Sequence, residues 1–200
     1  MVCLGIEIDT VKSTLAVPLE KLQQIIEECH SWSTRKVCTK QQLQSILGLL
    51  LYITKCVKHA RFFLNRMIDT LKEAKNSKII ILNKEFAKDM AWFNQFLVYF
   101  NGTVYFNPLP AHGTFEIDAC LQGFGGRYNE YVYNVPLEGT VLKYNICQLE
   151  MLNVVVALKV WGYQFKNKKL TIKCDNLPAV NVSTNGKTGD KLLAAIARNI

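Results

Sequence analysis

Apolar residues recur at helical spacing through most of the first hundred positions. Their period predicts three consecutive amphipathic helices: one that starts after Pro18, one that Thr39 caps, and one over roughly residues 60–74. A fourth apolar stripe, over residues 84–100, ends at an Asn-Gly dipeptide of the kind that stops helices. The first hundred residues are therefore expected to be mainly helical.

Two shorter segments of this half alternate like strands. Residues 3–9, CLGIEID, place Leu4, Ile6 and Ile8 on one face, and we expect one strand with no hairpin partner nearby. Residues 76–83 predict a linker that contains a second short strand.

The pattern changes after residues 108–113, a stretch rich in proline and glycine that predicts a domain boundary. Strands and one apolar helix then follow in the order TFEIDA, GFGGRYN, EYVYNVP, ICQLEMLNVVVALKVWGYQF and KKLTIKCDN, with a last helix starting near Lys191. TVLKYN predicts another short segment, and LPAVNVSTN fits neither a helix nor a strand clearly. The long helix is apolar over most of its surface, so it should pack on a sheet. The chain is thus predicted to be α+β, with a helical bundle followed by a mixed α/β domain.

The charge distribution favours an anionic partner. The net charge is +8, and residues 35–75 hold nine basic residues against two acidic ones, a local balance of +7. The basic residues are Arg35, Lys36, Lys40, Lys55, Lys58, Arg61, Arg66, Lys72 and Lys75. A solvated helix surface is the simpler alternative, and a phosphate-binding face is the sharper hypothesis.

Cysteine usage points to an intracellular protein, cytoplasmic or nuclear. The seven cysteines are an odd number and form no C-x-x-C pair, so reduced thiols are the simplest account. The chain shows no signal peptide, and no apolar run is expected to reach the roughly 18 residues of a membrane span. A membrane partner is not expected.

Three carboxylates stand at predicted element ends. Asp118 ends the strand TFEIDA, Glu150 lies in the expected first turn of the apolar helix, and Asp175 ends the strand KKLTIKCDN. If they converge, they repel one another unless a divalent cation neutralises them. Two metal ions held by such carboxylates can hydrolyse a phosphodiester without a histidine. The alternative is two loop acids and a glutamate that complements the helix dipole.

The glycines after Asp118 fit the same hypothesis. Gly123, Gly125 and Gly126 would permit a tight turn and a neighbouring strand without bulky side chains. The backbone could then lie close to a nucleic-acid strand. The alternative is a hairpin with no further role.

These segments resemble a known family. EIDACLQGFGG, NICQLEMLNVVVALKVWG and LTIKCDNLPAVNV are similar, in this order, to the first three motifs of the ribonuclease H domain in retroelement polyproteins. The closest likeness is to the tyrosine-recombinase, DIRS-like type. Residues 4–25 resemble the end of a reverse-transcriptase palm running into its thumb, and the collinear resemblance covers nearly the whole chain.

The resemblance implies a division of the chain. Residues 1–18 would end the palm, 19–76 would form the thumb helices, 77–110 the tether, and 111–200 a ribonuclease H-like domain that stops short of its C-terminus. The remainder of a longer polyprotein would then be a partner of this fragment.

The resemblance also implies site residues. Asp118, Glu150 and Asp175 would bind two magnesium ions, or manganese, and cleave the RNA strand of an RNA–DNA hybrid. The thumb would hold a hybrid or template–primer duplex through basic residues, namely Arg35, Lys36, Lys40, Lys55, Lys58, Arg61 and Arg66.

The chain departs from the family pattern in ways that bear on activity. The polymerase aspartates would lie before residue 1, and the fourth ribonuclease H carboxylate would lie beyond residue 200. Cys120 stands where the family usually has serine or threonine, and Asp190 precedes the last helix, so the fourth role is not assigned to it. Whether this chain is an enzyme therefore stays open.

Three classes of function compete. The leading hypothesis is a hybrid-specific endonuclease module of a reverse transcriptase. The alternative is a catalytically inactive nucleic-acid-binding remnant of a retroelement. A structural or partner-binding protein is the third class, and it leaves the placement of the three acids unexplained.

Overall fold

The computed structural model describes residues 1–74, 78–106, 110–166, 168–186 and 188–200. The chain divides into two compact units, residues 1–108 and 109–200. This division falls in the proline- and glycine-rich stretch where the sequence places a boundary, although its first two residues lie outside the described part, as do the first two of the predicted 76–83 linker.

Four helices form most of the first unit. They are α1 (Leu19–Trp32), α2 (Lys40–Ile53), α3 (Arg61–Glu73) and α4 (Lys84–Tyr99). Thr39 caps α2 as predicted, because its hydroxyl accepts from the Gln42 amide while the Gln42 side chain accepts from the Thr39 amide. Helix α4 packs on both α1 and α3, so the helix that the sequence assigns to a tether lies within the same compact unit.

The apolar stripes of these helices meet in one core. Its fully buried members come from all four helices and include Ile25, Leu43, Ile46, Leu50, Ile53, Leu64, Met67, Phe86, Met90 and Phe93. The helical spacing that predicts the bundle therefore also identifies its interior.

The N-terminal strand prediction is wrong in its count and its partners. Residues 3–9 do not form one lone strand; β1 (Val2–Cys3) and β2 (Ile6–Asp9) form a hairpin. The sheet continues through β3 (Thr14–Ala16) to β6 (Thr103–Tyr105), so the first segment has partners within the chain.

Positive backbone angles explain this error. Leu4 and Gly5 have φ of 48° and 80°, which turns the chain back inside a segment whose apolar residues alternate. Lys55 donates to the Leu4 carbonyl at 3.3 Å and Tyr52 donates to that of Gly5, so the turn is tied to the end of α2. A second small ribbon pairs β4 (Val37–Cys38) with β5 (Ile80–Ile81).

The second unit is mixed α/β, as predicted. Its sheet has the order β10-β7-β8-β9, formed by Leu170–Lys173, Gly113–Ala119, Gly123–Tyr128 and Tyr131–Pro136. Strands β7, β8 and β9 run antiparallel, and β10 joins β7 in parallel. The parallel pairing brings the ends of β7 and β10 to the same edge of the sheet.

Three helices accompany this sheet. Helix α5 (Ile146–Trp161) covers β7 and β8, and α6 (Leu177–Asn185) and α7 (Lys191–Ala197) pack on α5. The ambiguous segment LPAVNVSTN is α6, because the Asn176 side chain caps it and the proline sits in its first turn. TVLKYN belongs largely to a 3-10 helix over residues 139–143.

Helix α5 is apolar over most of its surface because it packs on the sheet on one side and on α6 and α7 on the other. Val154, Ala157 and Trp161 pack on Phe115 and Ile117 in one buried cluster. The stretch Ile146–Phe165 is long and apolar enough, by length and composition alone, to cross a membrane, which corrects the sequence analysis. A core helix meets the same criterion, and this stretch lies between a sheet and two helices.

One ion-pair network joins α3 to α4. The guanidinium of Arg66 bonds both carboxylate oxygens of Asp89, one of them at 2.7 Å from Nε, and also bonds Glu85. Asp89 is only 1% exposed, so its charge is compensated inside the unit. Arg66 therefore has a structural role, and its place in the nucleic-acid-binding set stays a prediction.

Replacing Arg66 by methionine tests this role. The substitution leaves the buried Asp89 carboxylate without its guanidinium partner, and we expect the free energy of unfolding to fall by about 3–5 kcal/mol in urea denaturation. Lys72→Met is the control, because the Lys72–Asp69 pair is exposed on both sides and its loss should cost no more than about 0.5 kcal/mol. Equal losses in the two variants would contradict the assignment.

Candidate functional site

The start of α5 is fixed by side chains. Asn145 accepts from the Gln148 amide at 3.0 Å, and the Gln148 side chain accepts from the Asn145 amide at 3.1 Å. The helix begins at Ile146, so Glu150 lies one residue beyond the first turn rather than inside it as predicted. The interaction of Glu150 with the helix dipole is therefore weaker than for an acid in the first turn, and it explains the position of this residue less well.

Glu150 is a buried carboxylate with specific partners. It is 1% exposed between Leu149 and Met151, which are also buried. Its Oε1 accepts from the Ala119 amide at 3.0 Å, and its Oε2 accepts from the Cys174 thiol at 3.4 Å. The helix thus places a carboxylate at the end of β7 and beside the residue that follows β10.

Asp175 meets Glu150 at this edge of the sheet. Strand β10 ends at Lys173, and one ligand atom each of Glu150, Cys174 and Asp175 lie within 4.8 Å of one another. The carboxylate of Asp175 is exposed, whereas that of Glu150 is not. The sequence prediction that these two acids converge agrees with this geometry.

The Asp118 side chain lies on the face of the sheet that α5 does not cover. Phe115, Ile117 and Ala119 are buried on the face that α5 covers, so the alternation of β7 turns the exposed Asp118 side chain away from that helix. Asp118 lines a shallow groove of about 750 Å³ together with Gly123, Gly125 and Asn134. Asp118 is not among the described residues whose ligand atoms lie within 4.8 Å of one another. Two of the three predicted carboxylates are therefore brought together.

The pKa of Glu150 depends on the charges of both other acids. Burial raises the pKa of Glu150, and the charges of Asp175 and Asp118 raise it further against the lowering effect of its two hydrogen bonds. Burial and the neighbouring carboxylates also raise the pKa of the Cys174 thiol to about 11. The site therefore stabilises positive charge and resists further negative charge.

The glycines lie in the strand that was predicted for GFGGRYN, and the tight turn expected beside them comes just before Gly123. The turn between β7 and β8 is formed by residues 120–122, and Gly123, Gly125 and Gly126 belong to β8. A Cβ atom on Gly126 would lie 2.4 Å from the Tyr133 ring, so this glycine makes room for an aromatic side chain on the face that α5 covers. Gly125 has an open surround beside Asp118.

Sequence reasoning missed Asn153, which is fully buried on α5. Its amide donates to the carbonyls of Asp118 and Gly125, both at 2.8 Å, and accepts from the Tyr133 hydroxyl at 2.5 Å. Burial raises the pKa of Tyr133 to about 12, which keeps its hydroxyl a donor. The signal available in the sequence was a lone amide in the apolar run LNVVVAL.

Asp190 is engaged by its own surroundings. It caps α7 by accepting from the amides of Leu192 and Leu193, and it accepts from the Gln148 side chain at 2.7 Å. These bonds lower its pKa, with the Gln148 bond as the largest cause. The structure thus gives Asp190 a role in joining the starts of α5 and α7.

Four exposed basic residues of the predicted nucleic-acid-binding set form two separate groups. Lys36 and Lys40 are exposed near the start of α2, and Lys55 and Arg61 are exposed beyond its end. A helix of 14 residues spans roughly 20 Å, which separates the two groups by that distance. A long anionic ligand could contact both groups, whereas a small anion could contact only one.

Four other basic residues of the segment 35–75 have distinct positions. The guanidinium of Arg35 lies 4.5 Å from the centre of the Trp32 ring, which holds this cation against the α1 end. The side chain of Lys58 lies outside the described part, as does Lys75. Lys72 bonds Asp69 at 3.0 Å.

Comparisons with known proteins give similarities of limited depth. No protein-family profile and no curated protein matches the chain. Solved structures with a similar course are foamy viral protease–reverse transcriptases. The complex with double-stranded DNA has a TM-score of 0.40 and 14% identity, over 82% of this chain and 34% of that one. The dRH form with double-stranded DNA has a TM-score of 0.41 and 13% identity, over 98% of this chain and 35% of that one.

A third similar structure is the same viral protein with an RNA/DNA hybrid. Its TM-score is 0.42 at 12% identity, over 99% of this chain and 27% of that one. The chain thus spans about a third of the length of these proteins or less. At these scores the likeness assigns no role to any residue.

Two adjacent glycines provide a matched test of the site architecture. Gly126→Ala places a methyl group against the Tyr133 ring, whose hydroxyl is held by Asn153, and should lower the free energy of unfolding by about 1–3 kcal/mol. Gly125→Ala meets nothing closer than 3.8 Å and should change it by no more than about 0.5 kcal/mol, or raise it slightly. Thermal unfolding measures both, and the reverse order would refute the placement of Tyr133.

Proposed function

We propose that residues 109–200 form a ribonuclease H-like module that hydrolyses the RNA strand of an RNA–DNA hybrid with divalent cations. In this proposal the chain is part of a retroelement reverse transcriptase of the DIRS-like type. The supporting observation is the carboxylate of Glu150, 1% exposed and within 4.8 Å of a ligand atom of Asp175. Two like charges at this distance favour a bound cation, which removes their repulsion.

The donor atoms fit magnesium or manganese. Glu150 and Asp175 supply the hard oxygen ligands that these ions prefer, and each carboxylate oxygen keeps acceptor capacity beside its present hydrogen bond. The Cys174 thiol is a soft ligand that magnesium does not favour. Its present bond to Glu150 suits a supporting role that orients the carboxylate.

The residues around the three carboxylates have distinct roles in this proposal. Glu150, Asp175 and Asp118 would hold two magnesium or manganese ions, which when bound supply an activated water and stabilise charge on the scissile phosphate. Asp118 faces the groove beside Gly125, where the lack of a side chain leaves room for a sugar–phosphate backbone. The Ala119 amide and Cys174 keep the Glu150 carboxylate in one orientation until the cations bind.

The first unit would bind a hybrid or template–primer duplex by its phosphates. Lys36, Lys40, Lys55 and Arg61 are exposed. Contacts from such side chains to phosphates carry no sequence information, so binding without sequence preference is expected. The roughly 20 Å between the two groups suits an extended polyanion. Lys58 belongs to the same proposal by its place in the sequence.

A nucleic-acid-binding role without cleavage is the second candidate. It is favoured by the engagement of Asp190, which caps α7 and bonds Gln148 and so is not offered to the metal site. The basic residues of the first unit serve this role equally well. Cleavage of a labelled hybrid in magnesium or manganese separates the two candidates, since both include duplex binding.

Metal binding tests the proposed site directly. We expect the chain to bind Mn²⁺ in calorimetric titration, and Glu150→Gln or Asp175→Asn to weaken that binding at least about tenfold, because each removes a charged oxygen ligand. Asp118→Asn should also weaken binding and should abolish any cleavage.

Glu116→Gln is the matched control for these variants. Glu116 lies two residues before Asp118 on β7, is exposed, and pairs with Lys173 at 2.9 Å. Its substitution should leave Mn²⁺ affinity unchanged. No binding at millimolar Mn²⁺, or equal weakening by Glu116→Gln, would refute the proposed site.

Salt dependence tests the basic groups. Affinity for a duplex should fall linearly with salt on logarithmic axes, with a slope of about −0.9 for each phosphate contact. The double variants Lys36→Ala with Lys40→Ala, and Lys55→Ala with Arg61→Ala, should each flatten that slope by about 1–2 in fluorescence anisotropy. Lys88→Ala, at an exposed lysine of α4, should leave it unchanged. A slope that none of the changes alters would contradict the proposal.

A further inference from the structure

One peptide group of β7 is held by α5 from both edges. The peptide that links Asp118 to Ala119 presents its N–H to Glu150 Oε1 at 3.0 Å and its C=O to Asn153 Nδ2 at 2.8 Å. Glu150 and Asn153 are three residues apart, so they lie on the same face of the helix one turn from each other. The helix therefore grips the backbone immediately after the Asp118 side chain.

Asn153 is an unusual residue for its surroundings. It is fully buried, and the neighbouring helix residues Val154, Val155 and Ala157 are apolar and buried. An amide in such a place is costly unless its hydrogen bonds are satisfied. Here they are satisfied by three strands, because the amide bonds Asp118 on β7, Gly125 on β8 and Tyr133 on β9.

The geometry makes this network relevant to Asp118 more than to packing. An apolar residue would fill the same space between α5 and the sheet without the cost of burying the amide itself. The amide instead contacts the two carbonyls of a register pair, Asp118 and Gly125, whose other face opens into the groove. The direction of a strand side chain follows from the orientation of its flanking peptides, so fixing the peptide fixes the carboxylate.

We infer that Asn153, itself oriented by Tyr133, is a positioning residue that sets the Asp118 carboxylate for cation binding at the proposed site. Asn153 does not contact the cation or the substrate; it acts through the 118–119 peptide. This inference rests on the proposed metal-dependent function. Its structural half, the clamping of one peptide, holds in the metal-free protein and can be measured there.

Asn153→Leu is the variant of choice, because leucine is close to asparagine in size and suits an apolar helix. In the metal-free protein, amide hydrogen exchange at Ala119 should accelerate at least tenfold relative to Ile117 on the same strand. In calorimetry, Mn²⁺ affinity should fall about tenfold, the lower end of the effect of losing a group that orients a ligand. Cleavage, where present, should lose kcat with KM unchanged.

Val155→Ala is the matched control. Val155 is buried on the same helix, and its truncation weakens packing without touching the 118–119 peptide. It should lower thermal stability, leave the ratio of Ala119 to Ile117 exchange unchanged, and leave Mn²⁺ affinity within twofold of wild type. A purely structural role for Asn153 would give the same pattern in Asn153→Leu.

Tyr133→Phe is a milder second variant in case Asn153→Leu does not fold. It removes only the hydroxyl that orients the Asn153 amide, and it should change exchange and Mn²⁺ affinity in the same direction by about threefold. Unchanged Ala119 exchange and unchanged affinity in the folded variants would overturn the inference. If wild type binds no Mn²⁺, the proposed function fails, and accelerated Ala119 exchange alone decides whether the clamp exists.

Discussion

The buried charge of Glu150 is the constraint around which the second unit is arranged. A carboxylate that is 1% exposed needs hydrogen-bond donors or a cation, since its desolvation is otherwise too costly. The fold brings it a strand amide from β7 and a thiol from the residue after β10. Both donors exist at this point because β7 and β10 run in parallel and end at the same edge. The sheet topology therefore determines the environment of the Glu150 side chain.

Helix α5 must satisfy two requirements that usually conflict. Its apolar surface is buried between the sheet and the helices α6 and α7, while Glu150 and Asn153 must meet one peptide on β7. A shift of one residue at the helix start would rotate both side chains by about 100° and lose these bonds. The Asn145–Gln148 capping box sets that start, and Asp190 holds the same glutamine from α7. End capping on the surface thus controls the polar geometry inside.

Periodicity and capping chemistry were enough to predict the helices α1 to α5 and α7 and the strands β7 to β10, but not α6, whose segment fits neither a helix nor a strand clearly. They did not find the turn at Leu4 and Gly5, because the glycine that permits it stands inside an alternation that continues on both sides. They predicted that Asp118, Glu150 and Asp175 converge, but only Glu150 and Asp175 lie within 4.8 Å of each other. The period of a strand gives alternate faces and does not say which face a distant helix covers. Asn153 was missed because its partners are main-chain carbonyls, which every residue has.

Charge counting along the sequence has the same limit in the first unit. The balance of +7 over residues 35–75 includes Arg66, whose charge is compensated by Glu85 and Asp89 from a helix that the count leaves out. A phosphate responds to the charges that surround it in space, so the acids of α4 must enter the sum. Among the described side chains of the predicted set, the exposed ones lie at the two ends of α2. In the proposed function their separation along a rigid helix, more than their number, favours an extended ligand, because only an extended polyanion can neutralise both ends at once.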